Sequence, residues 1–182
     1  VNPCGRLSDT IARSIEDYPS SSCFGDQYRN FYTEDIYVGY RYFETTAKDK
    51  VLYPFGFGLS YTHFSMETLE FAEDSDSISL KIAVANEGEY PGRQVVHVYV
   101  NPPQGVLGKP LRSLASFAKT RVLMPGEKEE LPFTIWKKEL ASYDDSGATG
   151  HKSCYVLEEG AYRFFAGEDV RSCLLYTSPS PR

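Results

Sequence analysis

The sequence predicts a mainly β protein: a two-sheet antiparallel sandwich preceded by a segment of different pattern. Three observations lead there. From residue 64 onward, short runs that alternate apolar and polar residues recur roughly every 8–15 residues, with turn-forming residues between them. Aromatic residues make up 14% of the chain, with 14 Tyr and 11 Phe, which favours strands and extended loops over helices. The stretch Tyr53–Phe64 concentrates five aromatics, Pro54, Gly56 and Gly58, the composition of a conformationally specified, largely buried connector between two packed bodies.

Taken in order, Asn2-Pro3-Cys4-Gly5-Arg6-Leu7 reads as a turn into a short extended piece, and Ile15–Pro19 followed by three serines reads as a loop. Asp35–Phe43 alternates Ile36, Val38, Tyr40 and Tyr42 against Tyr37, Gly39, Arg41 and Phe43, so it is expected to be a strand covered on both faces. After the connector, Phe64–Phe71 is a strand with one slip in its alternation, with Phe64, Met66, Leu69 and Phe71 inward. Ser77–Asn86 points Ile78, Leu80, Ile82 and Val84 inward, and Gln94–Val100 does the same with Val96, Val98 and Val100. Leu111–Leu123 holds a further strand or pair, and Met124-Pro125-Gly126-Glu127 is a turn. Lys128–Ile135 puts Leu131, Phe133 and Ile135 inward, while Pro132 assigns it to an edge or a bulge. Trp136–Tyr143 is at most a short helical turn, and Asp144–Gly150 is a polar loop. A last pair, Lys152–Leu157 and Ala161–Gly167, is expected to be joined through Glu158-Glu159-Gly160. This pattern is that of an immunoglobulin-like sandwich. The absence of a Cys-Trp-Cys spacing favours the fibronectin III-like branch.

The formal charge of −6 and pI near 5.1 argue against nucleic acid or an anionic membrane as a partner. No apolar run approaches the roughly 20 residues that span a bilayer. The start at Val1, without Met or a signal peptide, leads us to expect a fragment. Residues 173–182 break the pattern before them and read as a translated sequencing adapter, so they are set aside from the fold. Cys4, Cys23 and Cys154 then remain, scattered and odd in number, which favours a reducing, cytoplasmic compartment.

Several motifs carry a resemblance. Tyr53–Phe64 resembles the Y-P-F-G-[YF]-G-L-S-Y-T-x-F signature of glycoside hydrolase family 3, the β-glucosidase and β-xylosidase group. Asn2–Thr10 resembles that family's N-P-S-G-[KR]-L-P-x-T segment, with Cys4 and Ser8 as departures. Asp35–Phe43 is similar to [DEG]-I-Y-V-G-Y-R-Y-[YF], and Gly92–Val100 to G-x-E-V-V-Q-[LV]-Y-V. Leu111–Phe117 is similar to V-K-E-L-K-G-F, and Met124–Glu127 to L-x-P-G-E. These matches run in order over nearly all of residues 2–170. The resemblance implies a parent enzyme with a TIM-like barrel, an α/β sandwich and a fibronectin III-like domain. Residues 1–52 would be the tail of the α/β sandwich, 53–63 the connector and 64–172 the fibronectin III-like domain. The implied chemistry is retaining hydrolysis of a β-linked glucoside or other oligosaccharide by an Asp nucleophile and a Glu acid/base. Neither motif has a counterpart here. The expected role is therefore structural, packing barrel and α/β sandwich together, with no catalytic residue, no metal and no cofactor in this chain.

The acidic pairs Glu34/Asp35, Asp74/Asp76, Glu129/Glu130, Asp144/Asp145, Glu158/Glu159 and Glu168/Asp169 fall mostly in turns, where acidic residues are the default. His151 and Cys154 have a ligand-like spacing but no partners in the pattern. His97 is expected on a surface or interdomain face. No glycine-rich phosphate loop follows a strand and opens a helix. Substrate contact or interdomain packing is assigned to Tyr37, Tyr40, Arg41, Phe55 and Phe57, whose rings suit either role. The alternative to a piece of an enzyme is a free-standing fibronectin III-like module that binds carbohydrate or protein.

Overall fold

The computed structural model describes residues 1–177; of the tail set aside above, residues 178–182 lie outside the described residues. The body of the molecule is a β-sandwich. One sheet is built from β3 (Phe64–Glu73), β4 (Ser77–Asn86) and β7 (Lys128–Trp136), in the order β3-β4-β7. The other is built from β5 (Val95–Asn101), β6 (Ser113–Lys119), β10 (Arg163–Gly167) and β11 (Cys173–Thr177), in the order β11-β10-β5-β6. All pairings are antiparallel, with Leu80 opposite Phe133 in the first sheet and Val98 opposite Ala166 in the second.

The period-2 pattern explains the core. Ile78, Leu80, Ile82 and Val84 of β4 face Val96, Val98 and Val100 of β5, with Leu131, Phe133 and Ile135 of β7 and Phe164 of β10 closing the layer. Pro132, which lacks an N–H, is tolerated because β7 lies at the edge of its sheet. The slip in β3 is a bulge: register shifts between Thr68 and Glu70. Leu69 is the extra residue, and it faces solvent at 43% exposure rather than the core.

Before the sandwich, β1 (Ile11–Ala12) pairs with β2 (Val51–Tyr53), and α1 (Tyr40–Thr46) packs against them. Their small core is Ala12, Phe43, Ala47 and Val51, flanked by Tyr18 and Tyr42. The Tyr18 hydroxyl accepts from Ala12 N at 2.9 Å and donates to Thr10 O at 3.0 Å, fixing the chain entering β1.

Four expectations are corrected. Asp35–Phe43 is not a strand. Gly39, at φ 58° and ψ −129°, turns the chain and α1 begins at Tyr40. Phe43 and Ala47, one helical turn apart, are both buried, so tertiary packing overrides the strand preference of the rings. The connector is not largely buried, since Leu59 and Tyr61 are each 71% exposed. The last two strands do not form a hairpin with each other: β9 (Cys154–Val156) pairs with β8 (Ser142–Asp144), whereas β10 lies between β5 and β11. The link between them is held aside by Glu158, which accepts from Val106 N at 2.8 Å and pairs with Lys109 at 2.6 Å. The polar loop expected at Asp144–Gly150 forms over residues 145–150, while Asp144 itself ends β8. It is fully buried and accepts from the backbone of Gly147, Ala148 and Thr149, and the Thr149 hydroxyl heads the contacts that hold its carboxyl well below the usual range. Finally, Cys173–Thr177, set aside as tail, pairs with β10 as an edge strand.

Candidate functional site

The connector folds around one turn. Phe57 N donates to Pro54 O at 3.0 Å, and Gly56 takes φ 84° at the third position, the type II pattern that calls for glycine. Leu7 locks the turn from the side, donating to Phe57 O and accepting from Gly56 N, both at 2.8 Å. A Cβ on Gly56 would stand 2.8 Å from Asp169 Cα, so that approach also requires glycine.

This turn sets the Phe55 ring on the outer face of β5. It lies 4.7 Å from Tyr40, 5.8 Å from His97 and 6.4 Å from Tyr99, between centroids. Tyr40 is fixed at its other end, its hydroxyl accepting from Leu114 N at 2.8 Å. β5 is thus covered on both faces, and His97, expected at a surface or between domains, is only 6% exposed beneath Phe55. Its Nδ1 donates to Glu168 O at 2.9 Å. Burial is the main cause that pushes the His97 imidazole below its ordinary value, with Arg6 adding to it and the Glu168 carbonyl and Asp169 opposing. Burial also drives the Tyr99 phenol well above its usual range.

The turn between β10 and β11 reaches back over the same region. Val170 N donates to Phe55 O at 3.0 Å. Glu168 pairs with Arg6 at 3.3 Å, and Arg6 also donates to Gln94 Oε1 and to Gly58 O. Arg171 donates to Glu44 Oε1 and to Lys48 O, each at 2.8 Å. Asp169 shapes the turn by accepting from Arg171 N and Ser172 N, both at 2.7 Å. Residues 168–171 therefore clasp α1, the Leu7 segment and the connector against the sandwich.

Residues 94–170 match the fibronectin type III-like domain family. The chain is 46% identical over 185 residues to a β-glucosidase of Ruminococcus albus, a match that takes in 100% of this chain and 19% of that protein. The crystal structure of a β-glucosidase from Paenibacillus barengoltzii superposes with a TM-score of 0.95 at 50% identity, over 98% of this chain and 20% of that one. That of a Bifidobacterium adolescentis GH3 β-glucosidase does so with a TM-score of 0.86 at 30% identity, over 99% of this chain and 26% of that one. Along its whole length the chain is similar to part of β-glucosidases, one of them a glycoside hydrolase family 3 enzyme. It spans about a fifth of the length of the R. albus relative.

In this chain the five residues singled out from sequence part company. Tyr40, Arg41 and Phe55 line one cleft of about 320 Å³ with Ser8, Asp9 and Val38. Tyr37 lies elsewhere, donating to Gly108 O at 2.6 Å, and Phe57 packs on Tyr53 at 4.9 Å. Most of the acidic pairs have a member committed to structure: Glu129 accepts from Arg121 N, Glu158 pairs with Lys109 and Glu168 pairs with Arg6. Among the described residues no group of three or more His, Cys, Asp or Glu could hold a metal ion. Sequence reasoning missed Arg6, Glu44 and Arg171. Their partners lie so far along the chain that no local spacing could have flagged them.

Proposed function

We propose that this chain serves a retaining β-glycosidase, most simply a β-glucosidase acting on β-linked glucosides or related oligosaccharides, as its structural part. Its residues would divide as an α/β-sandwich tail (1–52), a connector (53–63) and a fibronectin III-like domain (64–172). The single observation that carries this reading is the clasp. Aromatic, ionic and backbone contacts all converge on the joint between the segment before the sandwich and the outer face of β5, as expected of a part that holds other domains in place. The catalytic Asp and Glu would come from the rest of the parent, whose barrel and α/β sandwich are the intramolecular partners. Tyr40, Arg41 and Phe55 would rim the substrate path, and Tyr37 and Phe57 would pack. A cytoplasmic location belongs to the same proposal.

The test is to express the chain alone and assay aryl β-glucoside hydrolysis. No turnover is expected, and joining the chain to the remainder of its parent restores it. Turnover by the chain alone would overturn the reading.

A further inference from the structure

A second cavity, of about 470 Å³, opens at the end of the sandwich between the β5–β6 link and the segment Glu139–Tyr143, with Arg41 at its edge. Its size is that of a small-molecule site, for which roughly 300–1,000 Å³ is usual. Lys109 lines it and is only 3% exposed. Its ammonium contacts Glu158 Oε2 at 2.6 Å, and beyond that contact it has no acceptor among the described residues. An ammonium has three hydrogens to place, and a buried one left without acceptors is costly. Burial works to raise the Glu158 carboxyl, but the hydrogen bonds from Lys109 and the backbone outweigh it and hold the group below its ordinary value.

We propose that this cavity binds a neutral polyhydroxylated ligand, a mono- or disaccharide, through Lys109. This stands apart from the reading of the parent's activity. A hydroxyl both accepts and donates, so it can take the unspent Lys109 hydrogens while giving its own proton to Ser142 or Glu139 on the wall. An anion would satisfy Lys109 but would bring a second negative charge beside the buried Glu158 carboxylate. Leu107, Pro110 and Leu140 offer apolar walls to the C–H faces of a pyranose, and Tyr143, 52% exposed at the mouth, offers a ring to stack on.

The experiment is calorimetric titration of the full chain with D-glucose and with cellobiose, and with phosphate and acetate as anion arms. Saturable sugar binding is expected with a dissociation constant of about 1–10 mM. Lys109→Met should weaken it about tenfold or more. Because that change leaves Glu158 unpaired and can cost folding, Tyr143→Ala at the exposed mouth is the second variant, with a loss of about threefold or more expected. The proposal is overturned if neither sugar binds, if Tyr143→Ala or a folded Lys109→Met binds as well as the parent chain, or if phosphate or acetate binds more tightly than the sugars.

Discussion

Arg171 Nε lies 2.8 Å from Glu44 Oε1, joining the β10–β11 turn to α1 across 127 positions of sequence. The Glu44 side chain is 5% exposed, and its other cation, Lys48, stands 3.9 Å away in solvent. Arg171→Met should therefore strand a buried carboxylate. A loss of about 3 kcal/mol in urea unfolding is expected, because removing one partner of a buried pair costs more than the pair itself contributes. A double-mutant cycle with Glu44→Gln should recover more than about 1 kcal/mol as coupling.

Two glycines separate backbone strain from close approach. Gly56 and Gly126 have nearly the same φ, 84° and 81°, but only Gly56 has a neighbour where a Cβ would go. Gly126→Ala should cost about 1–2 kcal/mol from the left-handed conformation alone. Gly56→Ala should cost at least about 2 kcal/mol more, as the connector is pushed off Asp169. Chemical denaturation of the two variants side by side checks the difference.

His97 makes the joint sensitive to acid. Its folded pKa is lowered, so the unfolded chain takes up the proton first. The stability it contributes is complete above the unfolded value of about 6.5 and declines as pH falls towards the folded one. The urea midpoint should thus drop between about pH 7.5 and pH 5, and His97→Gln, which keeps an N–H donor, should flatten that drop.

Asn86 is fully buried at the end of β4 and ties three links together. It accepts from the Thr62 hydroxyl at 2.7 Å and donates to Tyr90 O and Leu123 O at 2.8 and 2.9 Å. Asn86→Ala should cost about 3 kcal/mol, since it leaves buried groups without partners. Hydrogen exchange should show the loss concentrated in residues 87–92.

The sandwich could be read from sequence because its information is local. Alternation in Ser77–Asn86 places four side chains in the core, and the broken alternation of β3 marks its bulge. α1 could not be read in this way. Tyr40–Phe43 carries the composition of a strand, and the decision rests on the φ of Gly39 and on the burial of Phe43 and Ala47 against β1 and β2. The connector announced itself through its proline, glycines and rings, whereas the charges that clamp it did not. Arg6 meets Glu168 across 162 positions, and no pattern in either neighbourhood points to the other.

The core shared by β1, β2 and α1 amounts to four buried residues, too few to hold 52 residues in shape. Much of what holds them is the turn at 168–171, distant in sequence but packed against Phe55, Arg6 and Glu44. In this chain taken by itself, residues 1–52 should therefore settle only once the strand carrying that turn has paired with β5. Within this chain residues 1–52 should be the last to settle, and in the finished molecule they should be the first to open.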